Sequence, residues 1–375
     1  MEKLRRAKPH MAGILAFVIF IYGLTALDLA TGPTQISLAE RRKLAQRPEL
    51  SLASAADGTF SKEYSTYLQD QIVGRDHFRS IKSFISRQIL RNPENNGVYV
   101  VGDSIYDVFY GINQGYIDRA VTLISAILDS ISFECDGAYV GVIPSKAQGL
   151  EGKRYLLSDQ RAIADALRGV TKASHIDLMP LSEDDTDELY YRTDHHWTTQ
   201  GTIRAYELVG RGMGYVPIQG YSLELGTDSY YGNLYGRAAM TSIPPDSVYL
   251  AHNEMLDNMS VCRYKTLDDI ECQDSIYYRE ELDGLDPYDV FIGGAAPITV
   301  IENPLAPAGT ELVIFKDSYS HALAPFLAQH FPTTMLIDLR YVRKELIFEV
   351  FDLDGKIILF LFSTTILNTD PRILN

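Results

Sequence analysis

Cysteine is scarce in this sequence: Cys135, Cys262 and Cys272 are the only three in 375 residues. Three thiols cannot all pair, and no Cys-x-x-Cys or Cys/His ligand spacing occurs. A disulfide-built scaffold and a zinc-finger type of metal site are therefore excluded. Cys262 and Cys272 are the one close pair that an oxidising compartment could join, an unpaired buried thiol being the alternative. Positive charge is also in deficit, with 34 Lys and Arg against 49 Asp and Glu and a net charge of -15. Such a surface repels phosphate backbones, so no nucleic-acid partner is expected. Tryptophan occurs once, as Trp197, beside 24 tyrosines. Repeats and low-complexity tracts are missing. With 46% hydrophobic and 22% charged residues, wholesale disorder is excluded.

The chain has one long hydrophobic run. From Pro9 to Leu27 no side chain is charged, and Lys3, Arg5, Arg6 and Lys8 precede the run. A bilayer crossing needs about 20 such residues, and a basic flank stays on the cytoplasmic side. The expected organisation is a cytoplasmic tail (1–10), a transmembrane signal anchor (11–30), a juxtamembrane linker (31–59) and one large domain (60–375). That places the protein in the cell membrane as a single-pass chain with an extracytoplasmic domain. A cleaved signal peptide is the rival reading, with Ala26, Ala30 and Gly32 near a cut.

Between Phe60 and Leu90 the apolar residues recur at helical spacing, which predicts two amphipathic helices broken near Gly74. Beyond residue 97, short apolar runs alternate with helical patterns. Strands are expected over Val98–Val101, Ala138–Ile143, His175–Leu178, Asp289–Ile292, Glu311–Phe315, Thr334–Leu339 and Lys356–Phe362. Helices are expected over Ile117–Ile131, Gln160–Val170, Thr199–Gly210, Ala322–Phe331 and Val342–Val350. This alternation predicts an α/β class with a largely parallel sheet covered by helices on both faces. Residues 212 to 285 are turn-rich and tyrosine-rich and read as an insertion lying over or beside the sheet. In such sheets ligands sit at the carboxyl ends of the strands.

Two places satisfy that condition. In Leu312-Val-Ile-Phe-Lys-Asp-Ser-Tyr-Ser-His321 an apolar run stops at Lys316-Asp317-Ser318 and an Ala/Leu-rich helix follows. A serine there meets the free N–H groups and positive dipole of a helix start, which favour a developing oxyanion; simple capping by Ser318 or Asp317 is the alternative. In Tyr190-Tyr-Arg-Thr-Asp-His-His-Trp197 a carboxylate and two imidazoles precede a helix. A seryl oxygen needs an imidazole to take its proton and a carboxylate to orient that imidazole, and Asp194 with His196 supplies both. Reading Asp194, His195 and His196 as ligands of a metal-dependent phosphoesterase is a rival. His77, His175, His252, His321 and His330 add no ligand spacing, and Asp184, Asp185 and Asp187 lack a strand context. Trp197 is expected in the core, and Tyr230, Tyr231 and Tyr235 are candidates for contact with a polymer.

Thr193-Asp-His-His-Trp197 with Gly201, Lys316-Asp-Ser-Tyr319, Pro325-Phe-Leu327, Ile337-Asp-Leu-Arg-Tyr341 and Ile143-Pro-Ser-Lys146 closely resembles the DHHW protein family. That family is related to SGNH-hydrolase-like proteins that O-acetylate alginate and other envelope polysaccharides. The likeness runs from about Glu40 to the carboxyl terminus. It implies an SGNH-hydrolase-like, flavodoxin-like fold, with Ser318 as nucleophile, His196 as general base and Asp194 as its orienting carboxylate. His195 takes no catalytic role. For substrate or oxyanion contacts the strand ends offer Arg340, Tyr341, Ser363 and Thr364, besides the Ser318 backbone N–H. The implied activity is transfer of an acyl group, by the resemblance an acetyl, to or from a cell-envelope polysaccharide, with no cofactor and no metal. An acyl donor outside the membrane needs a supplier, so a polytopic membrane O-acyltransferase is the implied partner. A non-catalytic polysaccharide-binding or assembly protein on the same fold is the alternative.

Overall fold

The computed structural model describes residues 2–92, 94–108, 111–131, 137–150, 160–183 and 186–369. Cys135, Asp184 and Asp185 lie outside them. The chain divides into two units, residues 1–92 with 239–241, and residues 93–238 with 242–375.

The first unit opens with the helix Glu2–Thr31, whose Met11–Asp28 stretch is apolar and long enough to cross a membrane. A short hairpin, Ile36–Ser37 with Arg42–Lys43, follows. The expected helix pair is then found as Thr59–Gln71 and Arg75–Phe84, the second continuing as a π turn over Ile85–Ile89. Gly74, at φ 74°, supplies the left-handed residue between them. Asp70 is buried against Arg42 and accepts the Ala45 N–H at 2.8 Å. The Arg42 guanidinium holds its carboxyl down at about 2.

The second unit is built on an eight-stranded sheet. Its strands are β1 (Ala138–Ile143), β2 (Ser174–Ile176), β3 (Ser260–Tyr264), β4 (Ile270–Gln273), β5 (Ile298–Glu302), β6 (Leu312–Lys316), β7 (Thr333–Ile337) and β8 (Ile357–Ser363). They lie in the order β4-β3-β5-β7-β6-β8-β1-β2. The five from β7 to β2 are parallel, and β5, β3 and β4 add an antiparallel edge. The α/β class with a largely parallel sheet is thus as expected. Counted from β6 through β7 and β8 and then on to β1 and β2, the parallel strands stand in the order 2-1-3-4-5. That is the flavodoxin-like order with its start moved along the chain.

Every residue of β6 is buried, as continuous apolar runs in parallel strands require. The two-residue period sends Leu312 and Ile314 to one face, where they join Ala205, Tyr206, Val209, Leu323 and Leu327 of the helices Thr199–Met213 and Ser320–Ala328. Val313 and Phe315 go to the other, with Ile117, Ile124 and Leu128 of the helix Gln114–Ser130. Helices therefore cover both faces. The Asn113 and Thr198 side chains cap two of these helices by accepting from the N–H groups of Tyr116 and Gly201.

Three expectations differ. Asp289–Ile292 is no strand: Pro287 pre-sets φ for a 3-10 turn over Pro287–Val290, and Phe291 makes an isolated bridge to Tyr277. Val98–Val101 is the expected strand but stands outside the large sheet, in a meander with Glu94–Asn95 and Ser104–Asp107. Within residues 212–285, Ser222–Tyr230 and Asp246–His252 form their own hairpin, whereas β3 and β4 extend the sheet edge and are joined by a Cys262–Cys272 disulfide at directly opposed positions.

Candidate active site

The loop carrying Asp194 and His196 is held from several sides. Lys146 is buried, and its ammonium donates to the carbonyls of Tyr191 at 2.7 Å and Arg192 at 3.1 Å. The buried Asp246 carboxylate accepts the N–H of Arg192 (2.9 Å), the N–H of Thr193 (2.8 Å) and the Thr193 hydroxyl (2.5 Å). The Ile105 N–H donates to the Arg192 carbonyl. Trp197 packs edge-on against Tyr319 in the core, as expected of it. A loop pinned this way spends little conformational entropy when it orders a substrate.

Ser318 stands two residues past β6, in the turn that leads into the helix Ser320–Ala328, and is half-buried. Asp317, fully buried, does not act as a simple helix cap. Its carboxylate accepts the Tyr319 N–H at 3.1 Å and the Ser363 N–H at 2.7 Å, tying the serine turn to the end of β8. Since β6 and β8 are the neighbours where the flavodoxin-like order reverses, the serine sits at the switch point.

There the two segments meet. His196 Nε2 lies 2.8 Å from Ser318 Oγ, and His196 Nδ1 lies 2.7 Å from Asp194 Oδ1, across a sequence separation of 122 residues between the histidine and the serine. Asp194 also accepts the His196 N–H at 2.9 Å and the Asn233 N–H at 2.7 Å. Burial opposes its charge, yet the His195 and His196 imidazoles and these donors hold the carboxyl well below its usual range. An ionised Asp194 fixes the Nδ1–H tautomer and leaves Nε2 free to accept the seryl proton. The Tyr288 ring stacks on the His196 imidazole at 3.9 Å and 8°, locking its plane.

His195 packs 4.0 Å from the His196 ring, and burial together with that neighbour lowers it to about 4. Asp194, His195 and His196 each offer a ligand atom within 4.8 Å of one another. A cation gathered there through both imidazoles and the carboxylate would compete with the hydrogen bonds that Asp194 and Ser318 make to His196.

Of the other sequence candidates, Arg340 is a bidentate partner of Asp338, Nε to Oδ1 at 2.8 Å and Nη2 to Oδ2 at 2.6 Å. Tyr341 is exposed and donates its N–H to the Asp338 carbonyl. Ser363 is buried, its N–H given to Asp317 and its Oγ accepting the Ile366 N–H. Thr364 donates its hydroxyl to Gln160. Tyr230 is fully buried, so it is a core residue rather than a surface contact; Tyr231 and Tyr235 stay partly exposed, 4.4 Å apart. Sequence reasoning missed Tyr288, the Asn233 N–H, and a buried group behind the serine: Lys316 donates to His321 Nε2 at 2.7 Å and lies 3.5 Å from Asp338. Burial, then Lys316, keeps His321 well below its ordinary value. Only the chain's own Lys-Asp-Ser-Tyr-Ser-His run hinted at that group.

A DHHW family protein from Eubacterium siraeum is similar over 75% of this chain and 95% of its own, at 20% identity and a TM-score of 0.60. PatB1 of Bacillus cereus is similar over 74% and 98%, at 17% identity and a TM-score of 0.60, and its structure is also known with a sulfonyl adduct. The O-acetyltransferase domain of Pseudomonas putida AlgJ matches more loosely, at 13% identity and a TM-score of 0.46 over 73% and 93%. No curated protein sequence matches. The first two likenesses describe the fold. Residues 89–337, including the Asp194 loop and the Ser318 turn, match the DHHW protein family, and the chain belongs to it.

Proposed function

We propose that this protein is an extracytoplasmic, membrane-anchored acyl-transfer enzyme that moves an acetyl group to or from a hydroxyl of a cell-envelope polysaccharide. The observation that carries this reading is the continuous hydrogen-bonded series Ser318 Oγ, His196 Nε2, His196 Nδ1, Asp194 Oδ1. Ser318 Oγ attacks the acyl carbonyl while His196 takes its proton. The bond to the donor's oxygen then breaks, and His196 returns the proton to that leaving group. A sugar hydroxyl or water next attacks the acyl-enzyme, giving its proton to His196, and Ser318 regains it on release. Ionised Asp194 stabilises the imidazolium in both halves. The Ser318 N–H is the donor assigned to the oxyanion.

The apolar Met11–Asp28 helix supports a retained anchor, and the donor side of the reaction calls for a polytopic membrane O-acyltransferase as supplier. A sulfonyl adduct forms on the structurally similar PatB1, so a sulfonyl fluoride is a suitable probe here. Purified protein should be labelled at Ser318 by a sulfonyl fluoride or a fluorophosphonate, and should transfer acetyl from an activated ester in the presence of chelator. Ser318→Ala should lose both. Transfer that persists in that variant rejects the reading.

A second reading, a polysaccharide-binding or assembly protein, draws on the donors near the serine that are already committed: the Tyr319 and Ser363 N–H groups to Asp317, and Arg340 to Asp338. Polysaccharide binding by a protein that resists both probes would favour it.

A further inference from the structure

Surface helices of folded domains ordinarily turn their apolar stripe inward. The helix Arg75–Phe84 with its Ile85–Ile89 turn does the opposite. Phe78, Ile81, Phe84, Ile85 and Ile89 are 41%, 54%, 61%, 40% and 63% exposed. At 100° per residue, Phe78, Ile81 and Ile85 share a stripe about 60° wide, and Ile89 adds an exposed apolar side chain on the π turn that follows. Charges occupy the inner side instead. Arg75 bonds Glu40 and lies 3.6 Å from Asp70, and Arg79 pairs with Glu40 at 3.1 Å, both arginine side chains being largely buried. An exposed apolar face of this extent marks a contact with another apolar phase.

What that phase is follows from where the stripe begins. The Gln71 amide clamps the Thr34 backbone in both directions, accepting its N–H at 2.7 Å and donating to its carbonyl at 2.9 Å. Thr34 lies three residues beyond the end of the Glu2–Thr31 helix. Ile72, 43% exposed, is the next residue after Gln71, and Phe78 follows one turn into the second helix. The stripe therefore starts at the level where the chain leaves its membrane-length segment. Lys82 and Arg91 are exposed on the same stretch, and cations beside an apolar stripe suit anionic headgroups.

We propose that the Ile72–Ile89 face lies in the headgroup–acyl boundary of the bilayer crossed by Met11–Asp28, with phospholipid as its occupant and Lys82 and Arg91 at the phosphate level. The proposal rests on the anchor reading given above. It makes the first unit a surface-bound element as well as a tether, since two membrane contacts hold more firmly than one.

The test uses the full chain in vesicles of phosphatidylglycerol and phosphatidylethanolamine. An environment-sensitive fluorophore is attached at Phe78→Cys, Ile81→Cys or Ile89→Cys in a Cys135→Ser background. Glu63→Cys, on the exposed polar surface of the preceding helix, is the control. At all three stripe positions emission should be blue-shifted and quenched several-fold more strongly than at position 63 by lipids spin-labelled near the headgroup. Water-like emission at 78, 81 or 89 from vesicle-bound protein overturns the proposal while leaving the anchor intact. Blue-shifted emission that ignores the lipid quencher overturns it in favour of a second copy or a protein partner. A chain that does not float with the vesicles fails the anchor reading and takes this one with it.

Discussion

At the scale of the residue, the site depends on which groups keep or lose protons. Asp194 is held ionised by its imidazole neighbours against the cost of burial. Its contribution to stability is complete above the unfolded carboxyl value, about 3.9, and vanishes as pH falls through the lower folded one. Two histidines act earlier, His195 partly exposed and His321 buried. His195 at about 4 and His321, held well down, refuse a proton that the unfolded chain accepts below about 6.5. Because the unfolded state binds more protons there, stability falls as pH drops from about 6.5 toward 4, by at most about 1.4 kcal/mol per pH unit for each histidine. Thermal unfolding followed across that range should show the slope, and His195→Gln should flatten part of it. An unchanged slope in the variant would mean that other groups carry the effect.

At the scale of the element, the helix Asn233–Ala238 delivers its first N–H to Asp194, and the residue before it must be glycine. A Cβ on Gly232 would stand 2.2 Å from Asp194 Cβ and 2.5 Å from Oδ2, so either the carboxylate or the helix start has to move. Misplacement by about 1 Å can cost on the order of 100-fold in rate. Gly232→Ala is expected to slow fluorophosphonate labelling of Ser318 by about that factor with the circular dichroism spectrum retained; wild-type labelling would show that the carboxylate's position is not limiting. The β3–β4 hairpin tests the reverse case. Its disulfide spans a separation of 10 residues, for which loop-closure entropy suggests about 2–3 kcal/mol. Cys262→Ser with Cys272→Ser should lower the melting temperature and leave the labelling rate of Ser318 at 25 °C unaltered, because the pair lies at the sheet edge and the serine follows β6 in its interior.

At the scale of the whole molecule, the proposed anchor rests on the Met11–Asp28 stretch, which is apolar and long enough to cross a membrane. About 20 apolar residues bury enough surface to make insertion effectively irreversible. The protein expressed in a bacterial host should stay with the membrane fraction through high salt and carbonate and leave it in detergent, with the intact amino terminus detected by mass spectrometry. Release by carbonate, or a mature chain starting near residue 30, would replace the anchor with a cleaved signal.

The five parallel strands and the helices packed on them, the α/β class, the membrane-length segment and the two segments bearing Asp194, His196 and Ser318 were legible in the linear sequence. Period-2 and period-3.6 burial and local turn chemistry are short-range properties that a few neighbouring residues encode. The sequence could not say that β3, β4 and β5 close the sheet's far edge, that Pro287 turns the next segment away from strand geometry, or that Tyr288 stacks on His196. Nor could it say that Arg340 and Ser363 are spoken for by Asp338 and Asp317. Those facts depend on which strands become neighbours. Sequence determined which side chains were capable of the chemistry; bringing a serine within 2.8 Å of an imidazole 122 residues away was decided by sheet order, because only long-range packing of buried strands sets two distant turns side by side.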